Sequence, residues 1–271
     1  MYILEDSHFY DIIILEMLLK LLVTFTYLGM VAVNAMANIL PINGVTTGGV
    51  SDSYPNLFAP AGITFSIWGL IYLLLGAHVL YQLGLLGKEK DKKVSDAVKK
   101  ISKYFIGTSI INSIWIFAWH YNQIGLTLVL MVGLLILLIK IADITNTIKL
   151  DMKQRLLVKC PFSVYFGWIT VATIANVTTL LVSLGWNGFG ISAEIWTIIV
   201  LIVGAAIGTW RMLKDRNIAY GMVLVWAYLG IFIKHYSLEY FNQSYPLIML
   251  TVGALGAVFI FTLISLSVKK K

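Results

Sequence analysis

Apolar runs long enough to cross a lipid bilayer recur eight times along the chain, parted by short polar segments. A helix that spans the hydrocarbon core needs roughly 18 to 25 mostly apolar residues. The runs lie at 18–40, 60–85, 103–120, 123–142, 157–184, 193–212, 217–234 and 246–268. Only a few residues around His120 and Asn122 separate the third run from the fourth. The sixth and seventh are joined by KDRN, Lys214 to Asn217. Both pairs read as helical hairpins. The pattern predicts an all-α fold, a polytopic membrane helix bundle of about eight transmembrane helices.

Composition agrees: of 271 residues 59% are hydrophobic and 12% charged, against about a quarter charged in soluble domains, and the mean hydropathy is +0.86. The net charge of +7 does not point to nucleic acid, because the basic residues cluster between apolar runs as the positive-inside bias requires. With the N terminus in the cytoplasm, alternation places Lys20, Lys88 to Lys103, Lys140 to Lys159, Arg211 to Arg216 and Lys269 to Lys271 on the inner side. Of 20 basic residues only Lys234 falls outside. Losing one helix would invert every later loop, so this partition supports eight spans with both termini cytoplasmic, in the plasma (inner) membrane. Residues 1–17 form an N-terminal amphipathic segment that lies on the membrane surface or continues the first span as helix. Its Glu5, Asp6, Asp11 and Glu16 have the wrong sign for a signal-peptide n-region, although Ala35 to Ala37 resembles a cleavage site. The lone Cys160 excludes an internal disulfide and a thiolate metal cage.

Depth along the spans singles out the polar residues. At about 1.5 Å per residue, Asn34 and Asn38 lie near the outer end of the first span, and Asn112 and Asn176 in the outer halves of the third and fifth. Trp68 and Trp115 reach a similar depth. An asparagine in hydrocarbon must find a hydrogen-bond partner. For any one of them, a helix-to-helix contact is the commoner explanation. Six at one level suggest a cavity. Above them runs PINGVTTGGVSDSYPNLFA, residues 41–59, without lysine or arginine. Loops of this length are often lids or binding loops, and Tyr54, Pro55, Leu57 and Phe58 give this one apolar weight to fold back as a lid rather than trail as a tether. Pro60 is expected in the first turn of the second helix, with Ala61 and Gly62 allowing a neighbouring backbone to approach. Thr64, Phe65 and Trp68 then point toward whatever the lid covers.

Three stretches, FAPAGITFSIWGLIY, YFIGTSIINSIWIFAW and PFSVYFGWITVATIAN, resemble the TspO/MBR family, the tryptophan-rich sensory proteins of bacteria and translocator proteins of mitochondria. The likeness lies in the proline-containing start of the second helix followed by F, W and LY, in the N-x-x-W of the third, and in Trp168 followed eight residues later by Asn176. It implies a TspO-like five-helix core at 18–190 that acts as a sensor or carrier. It also implies binding of a hydrophobic small molecule, a tetrapyrrole such as porphyrin or haem or in some members a sterol, beneath the loop joining helices 1 and 2. No cofactor is required and no catalysis is implied. Trp68, Asn112, Trp115, Trp168 and Asn176 then sit at or near the pocket. The chain departs from the family where a pair of prolines is usual, having Pro60 followed by Ala61, and the interval from Pro161 to Trp168 exceeds the usual P-Y-x-x-W. Residues 191–271 add a three-helix C-terminal extension.

Chemistry-bearing groups are sparse. His78 and Asp143 lie toward cytoplasmic ends, and His120 and His235 at the outer surface. No pair has metal-ligand or acid-base spacing. His78 reads as a helix contact and Asp143 with Lys140 as solvated charge. GWNGFG, Gly185 to Gly190, lacks the strand-to-helix context of a phosphate loop and reads as a short outer turn. In the extension, Gly204 with Gly208 and Gly253 with Ala257 have the spacing of close-packed membrane helices, suited to buttressing the core or to a homo-oligomer face. Two other functional classes stay open: a secondary transporter of a small solute, for which Pro161 and Gly167 hint at a broken helix, and a structural or assembly protein with a filled interior.

Overall fold

A computed structural model describes residues 2–87, 89 and 91–268, with side chains described from Ile13 onward. Eight long helices dominate: α1 Tyr2–Ile39, α2 Ile67–Gln82, α3 Lys92–His120, α4 Ile124–Asn146, α5 Cys160–Ser183, α6 Ala193–Asp215, α7 Ile218–Tyr236 and α8 Pro246–Val268. Among the described residues there is no strand. The chain is an integral membrane protein. Seven of the long helical segments are apolar enough to cross a bilayer by length and composition; the exception is α3. Its shortfall in hydropathy comes from the polar residues it buries, among them Ser102, Thr108, Ser109 and Asn112, and it packs between α1 and α4. The terminal Lys269 to Lys271, along with Lys88 and Lys90, lie outside the described residues.

The chain enters several of its helices through side-chain caps. Asp91 Oδ1 accepts from Lys93 N at 2.8 Å, Ser192 Oγ from Ile195 N at 3.3 Å, and Asn217 Oδ1 from Tyr220 N at 3.2 Å. Each satisfies a backbone donor that helix geometry leaves unpaired. α1 is one unbroken helix, about 57 Å long at the standard rise and longer than a bilayer core of about 30 Å. Residues 2–17 are thus helix continuous with the first span; the side chains before Ile13, which would show most of an amphipathic face, lie outside the described residues.

α5 is the hub. It packs against α2, α4, α6 and α7, and every residue from Pro161 to Val171 is buried. A helix enclosed on all sides shows no polar stripe, which is why this run reads as uniformly apolar. The last three helices share that core: α7 lies along α5, and α8 lies on α6 and α7. A Cβ on Gly208 would come within 2.6 Å of Leu224, and one on Gly204 within 3.0 Å of Ile174, so these two glycines serve packing inside the bundle. Gly253 meets nothing within 4 Å. Asp143 is not simply solvated: Arg211 Nη2 donates to its Oδ1 at 2.8 Å, and Arg211 Nε donates to Asp215 Oδ2 at 2.6 Å, tying α4 to α6.

Residues 41–59 fold rather than trail. A short helix, Thr47–Asp52, begins at Thr46, whose Oγ1 accepts from Gly49 N at 3.1 Å. Asn43 Nδ2 donates to the His120 carbonyl at 2.9 Å and the Tyr54 hydroxyl to Asn122 Oδ1 at 3.2 Å, fastening one side of the loop to the α3–α4 turn. On the other side His235 Nε2 donates to the Leu57 carbonyl at 2.8 Å, and Lys234 pairs with Asp52. Pro60 is not in a first helical turn: helical structure starts at Gly62 with Ala61 as its cap. Pro60 is buried two residues earlier. The close backbone approach is there, but Ala61 makes it, its N–H donating to the Gly230 carbonyl of α7 at 3.0 Å.

Candidate functional site

Three buried polar side chains from three helices form a chain. Asn34 Nδ2 on α1 donates to Asn112 Oδ1 on α3 at 2.7 Å, and Asn112 Nδ2 donates to the Tyr165 hydroxyl on α5 at 3.2 Å. An unpaired amide at this depth would cost several kcal/mol, so the chain fixes the mutual register of α1, α3 and α5. Asn38 lies one turn along α1, largely exposed, and donates to the Asn34 carbonyl.

Aromatic rings fill the adjoining space. Trp68 stacks on Tyr72 with centroids 5.5 Å apart and meets Tyr165 and Trp168 edge-on at 5.8 and 6.3 Å. Phe65 meets Trp168 edge-on at 5.8 Å. Nearer the lid, Trp115 Nε1 donates to Asn176 Oδ1 at 3.4 Å and its ring stacks on Trp119. Trp119 Nε1 in turn donates to the Thr47 carbonyl of the lid helix at 3.0 Å. The indoles thus connect the bundle to the loop above it.

Between lid and rings lies a cavity of about 260 Å³, lined by Asn34, Asn38, Thr47, Gly48, Phe65, Ser66, Trp68 and Tyr72. Two of its hydroxyls, Thr47 Oγ1 and the Tyr72 phenol, are buried without a hydrogen-bond partner. Buried polar atoms in native proteins are nearly always paired; both of these belong to residues of the cavity lining. No carboxylate, imidazole or ammonium lines it.

Of the residues predicted from sequence, Asn34, Asn38, Phe65 and Trp68 line this cavity, while Asn112 and Trp168 stand directly behind its lining. Trp115 and Asn176 form the pair beneath Trp119. Thr64 lines neither this cavity nor its neighbour: it packs against Gly230, and its carbonyl accepts from Trp226 Nε1 at 3.0 Å. Pro55 and Phe58 of the lid line a second cavity of about 540 Å³ beside Leu181, Trp186, Trp196 and Tyr245. Sequence reasoning missed Tyr72, Tyr165 and Trp119. The helical repeat carries them: Tyr72 is four residues after Trp68, Trp119 four after Trp115, and Tyr165 three before Trp168, each on the face of a residue already chosen.

The model of one protein family, described as TSPO-like protein, matches residues 20–265. The chain belongs to the TSPO-like protein family. No curated protein and no solved structure is matched by the chain. The TSPO-like match does not end with α5 but continues through α6, α7 and most of α8. The α7 contacts at Ala61 and Thr64 are therefore contacts within the matched region.

Proposed function

We propose that this TSPO-like protein binds a hydrophobic, ring-bearing small molecule in the cavity under the 41–59 lid and acts as its sensor or carrier rather than as an enzyme. The observation that carries the reading is a cavity beneath the lid walled by Phe65 and Trp68, two of whose lining residues, Thr47 and Tyr72, carry hydroxyls without a hydrogen-bond partner. Aromatic walls with a few placed polar groups are the general form of a small-molecule site. At about 260 Å³ the closed cavity is below the range of about 300 to 1,000 Å³ usual for drug-sized ligands, so a tetrapyrrole or sterol enters with the lid displaced. We place the lid on the extracytoplasmic side of the plasma membrane and both termini in the cytoplasm, as the distribution of lysine and arginine requires.

Titration of the purified protein with a porphyrin tests this through quenching of tryptophan fluorescence. Saturable quenching that weakens in Trp68→Ala and in Tyr72→Phe is expected. Saturable binding indifferent to both substitutions places the ligand elsewhere.

A further inference from the structure

At the end of the bundle away from the lid, the α4–α5 connection, the first turns of α5 and the α6–α7 turn enclose a cleft of about 890 Å³. Among the described residues five cations line it, Lys149, Arg155, Lys159, Lys214 and Arg216, and one carboxylate, Asp215. That carboxylate is buried and held by Arg211. Two of the cations are fixed along the wall: Arg155 Nε donates to the Leu150 carbonyl at 3.0 Å, and Lys159 Nζ to Asn146 Oδ1 at 2.8 Å. The positive-inside bias accounts for basic residues on this side of a membrane, but not for five gathered around one concavity.

Two further features favour an anion here. The N-terminal end of α7, a helix of 19 residues, opens into the cleft at Ile218 and Ala219, where the helix dipole favours negative charge. Arg216 occupies the left-handed cap of α6 with φ 47°, a position normally taken by glycine because a side chain is strained there. The chain thus carries a guanidinium at the one place in the turn where glycine is the relaxed choice, and such strain concentrates at functional positions.

We propose that this cleft binds a phosphate group, specifically the headgroup phosphate of an anionic phospholipid lying at the level of the helix ends. Basic pockets between membrane helices suit such headgroups, and the source to be distinguished is a free phosphate. The site does not depend on the lid cavity.

The full chain, purified in neutral detergent, is offered phosphatidylglycerol or phosphatidylcholine, and retained lipid is counted by native mass spectrometry alongside the thermal unfolding temperature. Preferential retention of phosphatidylglycerol is expected, falling about fivefold for each cation removed in Arg216→Gly and Lys214→Gln. The unfolding temperature of each variant in phosphatidylcholine separates loss of lipid from misfolding. Trp68→Ala, which removes a wall of the lid cavity, is expected to retain phosphatidylglycerol fully. Inorganic phosphate that stabilises the protein and displaces phosphatidylglycerol supports the phosphate site and assigns it to a soluble phosphate; phosphate without effect beside retained phosphatidylglycerol assigns it to lipid. Equal retention of both lipids, or a preference intact in the Arg216→Gly, Lys214→Gln double variant, overturns the proposal.

Discussion

His78 Nδ1 donates a hydrogen bond to the carbonyl of Leu157 at 2.8 Å, across 79 residues of sequence. In a regular α-helix that carbonyl would receive the N–H of residue 161, which is proline and has none. The backbone responds locally with a π-helical turn over Arg155–Lys159, and α2 answers from outside with an imidazole packed between Phe105 and Phe162. His78 is thus a structural donor that repairs a broken helix. His78→Phe, which keeps the ring and removes the donor, is expected to lower stability by about 1–3 kcal/mol, read from thermal unfolding in detergent. In a Pro161→Ala background residue 161 supplies its own N–H, and the loss is expected to shrink. Additive effects in that double-mutant cycle would refute the coupling.

The amide chain from Asn34 to Tyr165 gives a graded series. Asn112 bonds both neighbours and is buried, so Asn112→Ala takes the partner from the Tyr165 hydroxyl and leaves the Asn34 amide only its bond to the Met30 carbonyl; it is expected to cost about 1–3 kcal/mol. Asn38 is largely exposed and reaches only the carbonyl of its own helix; Asn38→Ala is expected to be nearly neutral. Equal unfolding temperatures for the two variants would contradict the geometry.

These two cases also mark what the sequence can and cannot reveal. Spans, hairpins and the level of Asn34, Asn112, Trp68 and Trp115 were legible, because hydrophobic length and helical rise are local properties. The partner of a given side chain was not. Asp143 looked solvated because its counter-ion, Arg211, lies 68 residues away on a helix whose rotation no local pattern fixes. Thr64 reads as a pocket residue when the chain to Trp68 is taken as regular helix. Residues 62–66 instead form a 3₁₀ turn, whose tighter winding turns Thr64 toward α7 while Phe65 and Trp68 keep the cavity. Tyr72 ends the family-like stretch FAPAGITFSIWGLIY and lies one turn after Trp68, but only the fold reveals that its hydroxyl lacks a partner.

Arg211 separates its two carboxylates by burial. Asp215 has a side chain 3% exposed and Asp143 one that is 50% exposed. Removing the buried partner leaves the buried guanidinium with only the half-exposed Asp143, so Asp215→Ala is expected to destabilise by up to about 3–5 kcal/mol. Asp143→Ala removes a pair that water screens and is expected to cost less than about 1 kcal/mol. Thermal unfolding of both variants checks the order, and a larger effect at Asp143 would mean that α4, not α6, carries the ion pair.

Gly230 is the point at which the C-terminal helices reach the site. A Cβ there would fall 1.9 Å from Thr64 Oγ1 and 2.8 Å from Thr64 Cβ, too close for any rotamer of Thr64 to relieve entirely. Gly230→Ala must therefore push the 62–66 turn away from α7, straining the Ala61 to Gly230 hydrogen bond beside it. Phe65 and Trp68 follow that turn, so the displacement reaches the cavity wall. Overpacking of this kind is expected to cost about 1–3 kcal/mol and to weaken porphyrin quenching, although residue 230 does not line the cavity. Thr64→Ala added to Gly230→Ala removes the nearest atom and is expected to recover part of both losses; Thr64→Gly, which removes the Cβ as well, is expected to recover more. If Gly230→Ala leaves quenching unchanged while lowering stability, α7 supports the bundle without shaping the site.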